Sequence, residues 1–250
     1  MPRKKVIAAN WKMYKTPAQA QGFVKAFLPL VVNHDRDEIV LCPSDTSLSV
    51  VIAAVSGSNV AVGAQNMYFE DEGAFTGETS PLMLKALAAT HVILGHSERR
   101  QYFCETDETV NKKLLSAVGH ELKAIVCVGE TLAERESGKT HEVLLRQVRK
   151  AFEGITEPQC KLIVIAYEPM WAIGTGKTAT PEMAAEAHAV VREEIATVLG
   201  REAADTMRIL YGGSVKPDNV KKLMAEEEID GALVGGASLD PGSFAAIVKY

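Results

Sequence analysis

Eight short runs of apolar residues recur along the chain: VIAANW (6–11), EIVLC (38–42), VAVGAQN (60–66), HVILGHS (91–97), AIVCVGE (124–130), LIVIAYE (162–168), RILYGG (208–213) and GALVGG (231–236). Within each run the apolar residues are nearly continuous. A strand with one face in water alternates apolar and polar positions, whereas a parallel strand covered on both faces does not. The stretches between the runs read as helices, and four carry a start signal. Thr16-Pro17, Ser80-Pro81, Thr180-Pro181 and Asp240-Pro241 each place an N-capping side chain before a proline at the first helical position. Along 181–200, Ala187, Val191, Ile195 and Val198 form a stripe at helical spacing.

Eight strand runs alternating with helices in 250 residues predict an α/β fold, a closed (β/α)8 (TIM) barrel of eight parallel strands inside a ring of helices. A doubly wound open sheet would place G-x-G-x-x-G after its first strand, and Lys12 stands there instead. No low-complexity or Pro/Gly/Ser-rich linker interrupts the chain, so residues 1–250 are read as one catalytic domain.

Composition narrows the surroundings. The chain is 47% hydrophobic with a net charge of −5, its 27 basic and 32 acidic residues interspersed, which gives no surface for nucleic acid. Cys42, Cys104, Cys127 and Cys160 are widely spaced without C-x-x-C, as expected of reduced thiols. The apolar run Val6–Ala9 is too short for a signal peptide, and no segment reaches the roughly 18 apolar residues of a membrane span. The expectation is a cytoplasmic protein that binds neither membrane nor nucleic acid.

In a barrel of this kind the loops after the strands build the active site. Asn10-Trp11-Lys12 ends the first run, His96-Ser97-Glu98 the fourth and Glu168 the sixth, while Gly212-Gly213-Ser214 and Gly235-Gly236 end the last two. A lysine, a histidine, a glutamate and two glycine pairs therefore converge on one rim. Gly176-Lys177-Thr178 invites a P-loop reading, but G-x-x-x-x-G-K-[ST] requires a glycine where Trp171 stands. His120-Glu121 and His141-Glu142 begin like H-E-x-x-H, yet Ala124 and Leu145 occupy the second histidine's place, so no metal site is expected. No cofactor is expected either.

NWKM, GHSERR, AYEPMWAIGTGK, YGGSV and LVGGASL occur in that order from one end of the chain to the other, with FTGE (75–78) and CVGE (127–130) between them. This set resembles the triosephosphate isomerase family. It departs at Ala9, Tyr14 and Met170, where glycine, asparagine and valine are common, which touches loop detail rather than chemistry. The resemblance implies interconversion of D-glyceraldehyde 3-phosphate and dihydroxyacetone phosphate through an enediol or enediolate, in glycolysis and gluconeogenesis.

Roles follow from the resemblance, residue by residue. Glu168 is the candidate base, its carboxylate made more basic in a closed apolar site. His96 is the candidate electrophile. The short helix that Ser97 opens would disfavour a charged imidazole there and leave a neutral donor. Lys12 supplies fixed positive charge to the phosphate and the developing oxyanion, Asn10 orients it or touches substrate, and Glu98 is their acidic neighbour with a catalytic contribution. Gly174, Ser214, Gly235 and Gly236 complete the phosphate site together with Asn10 and Lys12. Pro169, Met170, Trp171, Ala172, Ile173, Gly174, Thr175 and Gly176 form a lid over bound substrate, a device for which this family is a type example. Cys127 reads as a packing residue.

The loop 67–80 is long and carries Tyr68, Phe69 and Phe75, which read as exposed and as a docking element. The resemblance implies a homodimer, with Thr76 reaching the neighbour's site near Asn10 and Lys12. Another phosphosugar barrel enzyme, such as an aldolase, is the alternative, but a Schiff-base lysine inside a strand is missing.

Overall fold

The computed structural model describes residues 3–172 and 179–250. Its strands are β1 (Val6–Asn10), β2 (Glu38–Cys42), β3 (Val60–Ala64), β4 (His91–Leu94), β5 (Lys123–Val128), β6 (Ile163–Tyr167), β7 (Arg208–Tyr211) and β8 (Gly231–Val234). They pair in sequence order, all parallel, and β8 returns to β1 through Val6↔Gly231 to Ala9↔Val234. The barrel is closed, as the eight apolar runs predict.

Both faces of these strands are buried. Val6, Ala8, Val40, Ile93, Ile125, Val164 and Leu210 point into the barrel and pack on one another. Their neighbours Ile7, Ala9, Ile39, Leu41, Val92, Val126 and Ile165 point outward into a second, larger cluster with the helices. Water touches neither side, so neither register of the strand can be polar.

The helices are α1 (Pro17–Val31), α2 (Asp45–Val55), α3 (Pro81–Ala86), α4 (Ser97–Tyr102), α5 (Asp107–Gly119), α6 (Leu132–Glu136), α7 (Thr140–Ala151), α8 (Pro181–Leu199), α9 (Arg201–Thr206), α10 (Val220–Leu223) and α11 (Pro241–Val248). All four predicted caps form. Thr16 closes a capping box with Gln19, and Ser80, Thr180 and Asp240 accept from the backbone N–H groups of Met83, Thr180's third successor Met183, and Ser243. The stripe of α8 buries Ala187, Val191 and Ile195, but Val198, in its last turn, is exposed. The same face buries Arg192, which sequence hydropathy does not suggest. Its guanidinium bonds the Ala204 and Met207 carbonyls and pairs with Asp230 at 2.7 Å.

Candidate active site

β6 ends at Tyr167, so Glu168 is the first residue past its ladder, its N–H held by the Val128 carbonyl at 2.7 Å. Only 2% of the residue is exposed. One carboxylate oxygen, Oε2, accepts the Ser97 N–H at 2.8 Å, at the positive end of α4. The other, Oε1, lies 2.9 Å from His96 Nε2. Gly212 makes this seat possible, since a Cβ there would stand 2.8 Å from Glu168 Cγ.

His96 caps α4. Its Nδ1 accepts the Glu98 N–H at 3.2 Å, which leaves Nε2 as the protonated nitrogen facing Glu168. Burial opposes charge on this ring, but the Glu168 carboxylate and its hydrogen bond outweigh it and raise the imidazole pKa. The sequence-based expectation of a disfavoured imidazolium thus meets the opposite balance in this arrangement. The cause is a carboxylate from another strand, not the helix end. For Glu168 itself, burial pushes the carboxyl up, and the His96 charge, the His96 hydrogen bond and the Ser97 N–H together hold it below its ordinary value. The carboxylate and the ring therefore titrate as a coupled pair while they are in contact.

Lys12 follows β1 in a left-handed conformation, φ 51°, which a non-glycine residue adopts only when held. Two side chains hold it. Asn10 Oδ1 accepts the Lys12 N–H at 3.0 Å, and Gln65 Nε2 donates to the Lys12 carbonyl at 2.9 Å. The ammonium pairs with Glu98 Oε1 at 2.7 Å, and its stem lies over Gly235.

Asn10, Lys12, His96, Glu168, Ala172, Ser214, Gly235 and Gly236 all line one cavity of about 780 Å³ at the C-terminal mouth of the barrel. Glu98 reaches it through its ion pair with Lys12. Ser214 is fixed by Asn219, whose Nδ2 donates to its carbonyl at 3.0 Å. Gly236 opens a 3₁₀ turn, Gly236–Leu239, and a Cβ on it would meet open space. One wall is therefore acidic and imidazole-bearing, and the opposite wall is glycine backbone beside an ammonium. Such a cavity suits a small anion whose other end undergoes proton transfer.

The residue profile of the family described as Triosephosphate isomerase matches residues 5–250. The chain belongs to the triosephosphate isomerase family. Triosephosphate isomerase from Solibacter usitatus is 58% identical over 99% of this chain and 100% of its own length. Those from Moorella thermoacetica, at 56%, and Caldanaerobacter subterraneus subsp. tengcongensis, at 54%, also cover 99% of this chain, and the alignments span 99% and 100% of those proteins.

Within this family's fold, the start of the expected lid is partly seen. Pro169 and Trp171 are buried, and Met170–Ala172 make a 3₁₀ turn. The Met170 N–H bonds the Glu130 carbonyl at 3.1 Å, and Trp171 Nε1 donates to Glu130 Oε1 at 2.9 Å. Ile173, Gly174, Thr175 and Gly176 lie outside the described residues. Glu130 is fully buried and also takes the Tyr167 hydroxyl and Arg135. Sequence reading quoted it in CVGE without giving it a task, and gave none to Gln65 or Gln147.

Thr76 is exposed, as is Phe75, whereas Tyr68 and Phe69 are half-buried. The reason is mutual stacking: the Tyr68 and Phe69 rings lie 4.2 Å apart and Tyr68 meets Phe75 at 4.4 Å. All four cysteines are free, and burial beside Glu168 raises the Cys127 thiol far above its ordinary range. Among the described residues, no group of three or more His, Cys, Asp or Glu could hold a metal ion, and no helix is long and apolar enough to cross a membrane.

Proposed function

We propose that residues 1–250 act as one catalytic domain that interconverts D-glyceraldehyde 3-phosphate and dihydroxyacetone phosphate. The observation that carries the reading is the meeting of the Glu168 carboxylate, His96 Nε2 at 2.9 Å and the Lys12 ammonium in one cavity, in a chain of this family. Glu168 removes the proton from the carbon next to the substrate carbonyl, and His96 donates its Nε2–H to the carbonyl oxygen. Lys12 stabilises charge on that oxygen and on the phosphate, with Asn10 and Glu98 keeping it in place. His96 Nε2 then takes the proton from the neighbouring hydroxyl, which becomes the new carbonyl, as Glu168 returns its proton to the former carbonyl carbon, so both residues are restored. No external acid, base or redox partner enters the balance.

Leaving His96 for the substrate carbon removes the carboxylate that raises the imidazole pKa. The Glu98 N–H on Nδ1 then favours the neutral Nε2–H donor this chemistry needs. Ser214, Gly235, Gly236 and Gly174 take the phosphate, with Pro169 to Gly176 closing over it to exclude water. An aldolase reading finds no support: among the described residues Lys123 is the only lysine in a strand, and it opens β5 at the far end of the barrel, paired with Glu38 at 2.6 Å.

A homodimer in the cytoplasm fits the surface and the free thiols. Met13, Tyr14 and Phe75 in loops, Leu82 and Met83 in α3, and Tyr102 and Phe103 at the end of α4 are exposed apolar side chains. Thr76 follows Phe75 on the exposed part of its loop, and we assign it the contact with a second copy near Asn10 and Lys12.

Coupled-assay turnover of D-glyceraldehyde 3-phosphate by wild type and Glu168→Asp tests the base. Withdrawing the carboxylate by one methylene, about 1 Å, should cost about 10²-fold in kcat. Equal turnover in the two proteins removes Glu168 from the role.

A further inference from the structure

We infer that Gln147 is a positioning residue for Glu168, acting as a clamp on the peptide group of Gly129. Gln147 lies in α7, which contributes nothing directly to the cavity. Its neighbours on the buried face are Val143, Leu144, Val148 and Ala151, all apolar. An apolar residue would bury there as well, so the amide has another reason to be present.

That reason is one peptide. β5 ends at Val128, and Gly129 has lost the sheet ladder that would pair its polar groups. Gln147 supplies both partners. Its Oε1 accepts the Gly129 N–H at 2.7 Å, and its Nε2 donates to the Gly129 carbonyl at 3.2 Å. Both bonds are buried, Gln147 being 5% exposed, although the two residues also line a cavity of about 860 Å³.

The other face of Gly129 rests on Glu168. A Cβ at position 129 would overlap the Glu168 carbonyl, so the two main chains are in direct contact. The flanking bonds tie the same segments together: Glu168 N–H to Val128 carbonyl at 2.7 Å, and Met170 N–H to Glu130 carbonyl at 3.1 Å. Any shift of Gly129 is passed to the backbone that aims the carboxylate. The phosphate side of the cavity that comes from β1, β7 and β8 is lined by neither Gln147 nor Gly129. Loss of the clamp should therefore lower kcat while substrate affinity holds.

Gln147→Met keeps chain length and volume and removes both bonds. The expected result is a kcat lowered about 10-fold to 10²-fold, with KM and competitive inhibition by inorganic phosphate unchanged, and faster hydrogen exchange at the Gly129 amide. Leu144→Ala, one turn away on the same buried face, controls for stability: its thermal midpoint falls while kcat stays at the wild-type value. Unchanged kcat in folded Gln147→Met overturns the clamp. So does a joint decline of kcat, KM and phosphate affinity, which would mean general loosening. Should the methionine variant not fold, Gln147→Glu retains the acceptor for the Gly129 N–H but not the donor, and the same split decides. The inference rests on Glu168 as the base. With Glu168→Asp alongside, loss there and full kcat in Gln147→Met overturns the clamp alone, whereas retained kcat in Glu168→Asp overturns the base assignment.

Discussion

Lowering the pH from 7 to 5 should weaken the fold through His188, which lies in α8 with no exposed surface. Its Nδ1–H donates to the Glu228 carbonyl at 3.0 Å, and its ring meets Tyr167 edge-on at 5.8 Å. Nε2 has no hydrogen-bond partner among the described residues. A second proton would place a buried charge there. Burial lowers the pKa from 6.5 to about 4, despite the Glu228 carbonyl and the Asp230 charge, with the Arg192 charge adding to the depression.

The unfolded chain takes up this proton as pH falls through 6.5, while the folded chain resists it until about 4. Stability that is fully present above 6.5 is therefore lost on acidification across that window. A shift of about 2.5 units corresponds to about 3 kcal/mol over the whole window, of which about 2 kcal/mol falls between pH 7 and 5. Urea unfolding of wild type and His188→Gln at both pH values, at one protein concentration, reads the difference. The glutamine can still donate to Glu228, so its cost at pH 7 is a packing cost without pH dependence. Wild type should lose about 2 kcal/mol more than the variant on going to pH 5. His91, lowered mainly by burial, and His96, raised by Glu168 against burial, titrate in both proteins and cancel. Glu38, held down to about 2 chiefly by the His91 hydrogen bond, does not change charge in this range. Equal acid sensitivity of the two proteins would refute the reasoning.

Three further outcomes are expected. Lys12→Met removes the cavity's ammonium and leaves Glu98 facing the substrate phosphate; a charged hydrogen bond is worth about 1.5–3 kcal/mol, so kcat/KM should fall at least about tenfold in the coupled assay. Asp230→Asn strips charge from a buried carboxylate that pairs with Arg192 and Arg3 and accepts the Ile209 N–H, and should cost about 3–5 kcal/mol in urea unfolding. Light scattering should give twice the 27.0 kDa chain mass, and Phe75→Asp should yield a monomer with little activity; an active wild-type monomer would remove the dimer.

How much of this was legible beforehand depends on the distance over which each feature is made. Each predicted strand run contains a strand because two-faced burial leaves its mark on consecutive residues. The four caps are equally local, since a capping side chain and its N–H lie within one turn. The rim was legible one step further out: once the barrel is assumed, the residue after each strand is known to face the cavity. Features that join distant segments were not legible. Val198 keeps the stripe's spacing but is exposed in the last turn of α8, which spacing alone does not reveal. The imidazole of His96 was judged from its own helix, whereas its proton affinity is governed by a carboxylate from β6 that no spacing reveals. Tyr68 and Phe69 look exposed as a list of letters and cover each other in space. Gln147 is the extreme case, because a glutamine in an amphipathic helix carries no local sign of a task. It becomes informative only when both the N–H and the carbonyl of Gly129 are seen to be bonded to Gln147, with Glu168 against the other face. The groups that meet substrate are thus readable from strand ends, and the groups that aim them are readable only from the packing behind those ends.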